Sequence, residues 1–249
     1  LVLAALLYVT FLEVPFVRIR RALANKRFIG AALGMNFVVV PIVVWGLTAF
    51  LPQGSALLVG ALMVLLTPCI DYVITFTELA GGNAELITAA TPVLMLLQLL
   101  LLPLYLWLFM GARVAEAIEP GPFAEAFLVI IALPLALAWA TEAWAQRAGP
   151  AKRWQEAMGW LPVPMMGVTL LVVIASQLPR VYDALAQIAG VVPVYVAFFI
   201  VMPLLARLVA GALQMPGGES RALIFTAVTR NSLVVLPLAL ALPAGYELA

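Results

Sequence analysis

Apolar residues run through this chain in long stretches that break at short clusters of charge, glycine or proline, giving eight candidates at 1–17, 29–51, 55–80, 84–110, 123–145, 154–178, 185–214 and 219–246. A bilayer core needs about 20 apolar residues per helix. None of the stretches alternates with the period of two that marks a barrel strand. The pattern therefore predicts an all-α, polytopic transmembrane helical bundle.

The links between stretches set the orientation. The first carries Arg18, Arg20, Arg21, Lys26 and Arg27, the fifth Arg147, Lys152 and Arg153, and the seventh Arg221, with Arg207 just before it. The even-numbered links carry only Arg113 and Arg180. Basic residues collect on the cytoplasmic side, so the odd links are expected inside and the first span runs from outside to inside. The third link, "AGGN", is neutral, and Glu78 and Glu85 on either side of it are expected to be solvated at the cytoplasmic boundary. Trp45, Trp107, Trp139, Trp144, Trp154 and Trp160 fall toward span ends, where interfacial anchors sit.

Many transporters consist of two repeats of opposite topology whose broken helices meet within the membrane. An offset of 162 residues relates two parts of this chain: "FVVVP" at Phe37 to Pro41 matches "FIVMP" at Phe199 to Pro203, and the same shift lays Thr67-Pro68-Cys69-Ile70-Asp71 over Thr229-Arg230-Asn231-Ser232-Leu233. The spans bearing these matches run in opposite directions, as inversion requires. The expected organisation is a single transmembrane transporter domain over 1–249. Residues 1–110 supply helices two to five of a first five-helix repeat, and 123–249 supply helices six to nine of a second. One further helix is needed before Leu1 and one after Ala249, so the chain is read as truncated at both ends.

Composition narrows the class. With 65% hydrophobic and 10% charged residues, the chain lies far from soluble usage, where about a quarter of residues are charged. The formal net charge of +1 is spread over short loops, which gives nucleic acid no patch to bind. One cysteine excludes an intramolecular disulfide. The sequence has no histidine, no glycine-rich phosphate loop and no Ser/His/Asp set, so neither an enzyme nor an ATP-driven pump is expected, and no cofactor or metal is implied.

Polar residues interrupt the third and eighth spans. Pro68 deletes a backbone donor and disfavours helix at Thr67, freeing carbonyls that must find partners within the protein. Both spans are therefore expected to be discontinuous, with Cys69, Asp71, Arg230, Asn231 and Ser232 lining the place where they cross. Ionisable groups inside a span are functional-site candidates, and Asp71 with Arg230 serves equally as an ion pair tying two helices together. Cys69 has a packing reading as well as a chemical one. Asn36, Asn231, Ser232, Thr75 and Thr77 either contact a substrate or satisfy freed backbone groups, the second being favoured for the two threonines.

At Pro68-Cys69 followed by "IDYVITFTELAGGNAEL", and again at "RNSLVVLPLALALP" (Arg230 to Pro243), the chain resembles the bile acid:sodium symporter superfamily, and within it the arsenite-efflux branch. The resemblance spans essentially the whole chain as helices two to nine of a ten-helix fold, and it implies a bacterial plasma (inner) membrane. A cysteine at the place of Cys69 marks the arsenite branch, which implies that Cys69 handles a thiol-seeking arsenical. Where sodium-coupled members carry a Ser-Asn pair in helix four, this chain has Val73 and Ile74. Their acidic residue and glutamine of helix nine fall on Thr226 and Arg230, and a helix-three glutamine falls on Asn36. Valine and isoleucine offer no oxygen to a hard cation, and a cation beside Arg230 would face a guanidinium that stays charged. The expected function is export of arsenite or a related small metalloid or anion, with protons as the coupling ion. The alternatives are an organic-anion carrier in which Arg230 pairs with a carboxylate, and a non-transporting membrane protein.

Overall fold

The computed structural model describes residues 2–12, 25–52, 55–69, 72–117, 127–145, 149–183 and 185–240. In chain order the helices are α1 (Val2–Leu12), α2 (Lys26–Thr48), α3 (Ala56–Leu65), α4 (Tyr72–Leu79), α5 (Ala84–Ala117), α6 (Leu133–Ala145, entered through a π-helical turn Phe127–Ala132), α7 (Gly149–Met158), α8 (Pro162–Asp183), α9 (Leu185–Ala189), α10 (Val192–Ala212), α11 (Gly217–Val228) and α12 (Ser232–Leu240). Among the described residues the β-type pairing is a single antiparallel bridge between Pro68 and Arg230.

Two groups of helices pack together. In one, α2 lies against α10, α11 and α3, while α5 lies against α3, α4 and α11. In the other, α1 is surrounded by α6, α8 and α7. The groups touch where α12 meets the π-helical turn ahead of α6. The tightest packing is in the first group, where Phe28, Met35, Leu62, Leu65, Phe198, Met202 and Leu223 are all essentially inaccessible. Elsewhere large apolar side chains face outward along whole helices, among them Ile42, Leu100, Leu108, Leu171, Ile200 and Leu208. Soluble monomers do not expose such continuous apolar surface, and this is an integral membrane protein. The six tryptophans are exposed as well.

Lys26–Thr48 and Val192–Ala212 are each long and apolar enough to cross a membrane unbroken, and Ala84–Gln98 with Leu100–Phe109 makes a third span counted across its 49° bend. The third and eighth expected spans are interrupted, the one after Leu65 and the other after Val228. Several boundaries differ from the sequence reading, and α5 runs on to Ala117 and α8 to Asp183, so Arg113 and Arg180 lie on helices and not in links. The span expected at 154–178 is two helices, α7 and α8, separated by the turn at 159–161. Gly159 ends the first, and Pro162 opens the second at the position where a missing N–H costs nothing. Lys152 and Arg153 therefore sit on the amphipathic helix α7 and not in a link. The span expected at 185–214 begins at Val192, because a turn at Gly190 and Val191 separates it from the short α9.

Local chemistry explains the helices that frame the site. The Asn25 side chain caps α2 by accepting from Phe28 N at 3.0 Å. Within α2 the backbone widens into a π-helical turn over Met35–Val39, just before Pro41. Pro41 has no N–H for the Phe37 carbonyl, and the Tyr105 hydroxyl donates to that carbonyl instead, at 2.6 Å. Ser55 caps α3 through Leu58 N at 3.2 Å.

Candidate functional site: the crossing of two interrupted helices

After Leu65 the chain leaves helical geometry. The Thr67 hydroxyl turns back to Met63 O at 2.7 Å, and Pro68 has no N–H for Val64 O, which receives Thr67 N at 3.2 Å. After Val228 the second interruption has the same form: Thr229 adopts extended backbone (φ −71°, ψ 128°) and its hydroxyl donates to Phe225 O at 2.7 Å. The two extended segments then pair. Cys69 N donates to Thr229 O at 3.1 Å, and Asn231 N donates to Thr67 O at 2.9 Å.

A shift of 162 residues turns Thr67 into Thr229, Cys69 into Asn231 and Met63 into Phe225. It thus exchanges the two bridge bonds with each other and the two hydroxyl bonds with each other, as a local pseudo-two-fold axis does. The crossing expected from the sequence is present, with both interruptions in register. At 1.5 Å per residue α4 rises about 12 Å and α11 about 18 Å, so a hydrocarbon core about 30 Å thick would enclose the crossing.

The bridge bonds orphan specific carbonyls. In a continuous helix Leu65 O would receive Cys69 N, and Ala227 O would receive Asn231 N; both donors have gone across the bridge. The Arg230 side chain supplies the missing donors. Its Nη2 donates to Ala227 O at 2.6 Å, to Thr226 O at 2.8 Å and to Asn36 Oδ1 at 2.9 Å, while Nη1 reaches Leu65 O at 3.4 Å. The guanidinium also lies over the Phe198 ring, 5.5 Å from its centroid. One side chain thereby ties α2, α3, α10 and α11 together.

Asn36 is fully buried in the π-helical turn of α2. Its amide nitrogen donates to Ala32 O at 2.9 Å and to the Thr226 hydroxyl at 3.3 Å, which aims the amide oxygen at Arg230. Asn36, Thr226 and Arg230, three positions that the family resemblance assigned to sodium ligands, thus meet in one cluster. Asn231 is buried and caps α12, its Oδ1 accepting from Val234 N at 3.2 Å. Ser232 is exposed in the first turn of α12, and Cys69 is buried, only 6% accessible, on the extended segment beside the bridge. Asp71 lies outside the described residues. Val73 is buried and Ile74 half-buried, so neither brings an oxygen to the crossing. Thr75 is exposed; Thr77 is buried, and its hydroxyl has no hydrogen-bond partner among the described residues.

At the other end of α4 the "AGGN" turn docks on the start of α11. Gly81 adopts φ +66°, its carbonyl accepts Arg221 Nη1 at 2.8 Å, and Asn83 N donates to Gly218 O at 2.9 Å. A Cβ on Gly82 would lie 2.7 Å from the Thr77 methyl and 3.0 Å from Thr77 O, so a larger residue there forces the turn to shift. Glu78 and Glu85 are exposed on either side.

Sequence reasoning overlooked Gln98. It is 2% accessible, and neither end of its amide has a partner among the described residues. The signal was visible as a single polar residue in "LMLLQLLLLP", five positions before Pro103. Pro103 withholds a donor from Leu99 O, and α5 bends at this point. An apolar cleft lined by Pro41, Ile42, Trp45, Tyr105, Leu108 and Phe109 opens between α2 and α5 and contains none of the crossing residues.

Two discontinuous helices, crossing at a pseudo-two-fold axis inside a bundle with an apolar exterior, define a secondary-transporter architecture. Residues 1–183 match the model of the sodium bile acid symporter family, and the chain belongs to that family. The match includes Asn36 and the first interruption; the second interruption lies beyond it and joins the site through the bridge. No curated protein sequence matches the chain.

Proposed function

We propose that this transporter exports arsenite or a related small metalloid or anion across a bacterial inner membrane, using protons in place of sodium. The observation that carries the reading is the position of Cys69, the chain's one cysteine, on the extended segment of the crossing. Arsenous acid is neutral near pH 7 and asks for hydrogen-bonding oxygens and a soft sulfur ligand. The crossing supplies the sulfur, and helix N-termini at α4 and α12 supply donors. Sodium is disfavoured because Val73 and Ile74 carry no oxygen and Arg230 already brings a fixed positive charge to Asn36 and Thr226. Asp71 is the carboxyl proposed to load and release the proton.

An organic-anion carrier is the second reading, favoured by the family match. It needs Arg230 to pair with a substrate carboxylate, yet Nη2 of Arg230 is already committed to three protein oxygens. Growth of an arsenite-sensitive bacterial strain expressing the full-length gene separates the two. Resistance that disappears in Cys69→Ser at equal membrane abundance supports the arsenite reading; resistance unaffected by that change returns Cys69 to packing.

A further inference from the structure

Gln98 lies on α5 at the depth of the crossing. The hydrogen bond from Asn83 N to Gly218 O, 2.9 Å long, starts α5 and α11 at one level, and the two helices pack together. From that level α11 rises about 18 Å to Val228, where the second interruption begins, and the stretch Ala84–Gln98 of α5 rises about 21 Å. The same helix packs against α3 and α4, so it touches three of the four helices that flank the two interruptions. Gln98 shares a buried face with Leu94, Met95 and Leu102, whereas Leu96 and Leu100 face outward. Its amide is directed into the bundle and not into lipid.

Both polar ends of that amide are buried, and neither has a hydrogen-bond partner among the described residues. Desolvating an amide without replacing its hydrogen bonds destabilises a fold, and polar groups held inside a span on such terms mark functional sites. The backbone beside it is built to give: Pro103 withholds a donor from Leu99 O, and α5 bends by 49° between Gln98 and Leu100.

We propose that Gln98 is a cargo-binding residue whose ligand is a small neutral solute bearing several hydroxyl groups. An amide presents two donors and an acceptor side by side. A hydroxyl answers both kinds of group, a carboxylate answers only the donors, and a cation answers only the oxygen. Arsenous acid, with three hydroxyls and no charge near neutral pH, has this chemistry, so the assignment deepens the proposed function and rests on it for the identity of the cargo. Cys69 then supplies sulfur and Gln98 supplies hydrogen bonds, both from the first half of the chain. The amide is covered in this conformation, and a carrier that opens to each side in turn uncovers it as cargo enters.

The test is thermal unfolding of the purified full-length carrier in detergent near neutral pH, with boric acid, arsenous acid or acetate, for wild type, Cys69→Ser and Gln98→Leu. Boric acid is a neutral trihydroxy molecule without affinity for thiols, so it isolates the contribution of the amide. It is expected to raise the unfolding temperature of wild type and Cys69→Ser by about 2 °C or more at saturation and to leave Gln98→Leu unmoved, although that variant unfolds no earlier than wild type without ligand. Acetate is expected to shift none of them. If Gln98→Leu cannot be recovered folded, Gln98→Met takes its place and is held to the same outcome. An equal boric acid shift in the Gln98 variant, no boric acid shift in wild type, or an acetate shift that disappears with the amide would overturn the proposal. A boric acid shift that requires Gln98, with no shift by arsenous acid, supports the role of the residue and removes arsenite as the cargo, so the two readings fail separately.

Discussion

The two interruptions share a backbone and differ in chemistry. Around both, a threonine hydroxyl turns back to the carbonyl four residues earlier at 2.7 Å, and each sends one amide across the bridge. At the central position, however, the first half has Pro68, which donates nothing, and the second has Arg230, which donates to four acceptors belonging to both halves. One residue further on, the first half has a thiol at Cys69 and the second an amide at Asn231 that caps α12. An inverted repeat thus fixes the geometry with main-chain bonds and leaves the equivalent side chains free to diverge. On this account the second half holds the crossing together and the first half meets the substrate.

That division predicts unequal responses to substitution. The largest effect on stability is expected at Arg230: Arg230→Met removes four hydrogen bonds from buried acceptors and should lower unfolding free energy by about 3 kcal/mol or more, read by thermal or denaturant unfolding in detergent. Pro68→Ala, at the equivalent place, should change it by less than about 1 kcal/mol. Equal losses at the two positions would erase the contrast. Next comes Asn36→Leu, which takes one acceptor from Arg230 and one donor from Thr226 and should cost about 2 kcal/mol. Tyr105→Phe strips the Phe37 carbonyl of its substitute donor and should cost about 1 kcal/mol. The last change has the opposite sign: Gln98→Leu removes a buried amide without a partner among the described residues and should raise stability by about 1 kcal/mol. A loss of stability there would mean that the amide has a partner in the membrane.

Much of this was legible in the sequence, for identifiable reasons. Pro68 cannot continue a ladder of hydrogen bonds, and Arg230, Asn231 and Ser232 cannot sit idle in hydrocarbon, so both interruptions announced themselves. The shift of 162 residues then gave their register. The partners of Arg230 were not legible, because which carbonyls lose their donors depends on the bridge bonds, and a carbonyl carries no signature in a sequence. Asp71 was the partner that charge alone suggested; it lies outside the described residues. Helix α7 was misread because Lys152 and Arg153 look like a link when only apolar run length is counted, whereas both lie within an amphipathic helix. Gln98 was passed over because one polar residue does not end an apolar run.

The sharpest test of the division of labour is arsenite uptake into everted membrane vesicles carrying the full-length transporter, driven by an imposed pH gradient, comparing wild type, Cys69→Ser and Asn231→Ser at matched membrane abundance. The account predicts pH-driven uptake by wild type, loss of most of it in Cys69→Ser, and substantial retention in Asn231→Ser, because only the first half presents sulfur to the substrate. Undiminished uptake by Cys69→Ser, or uptake by wild type that requires sodium, would contradict it.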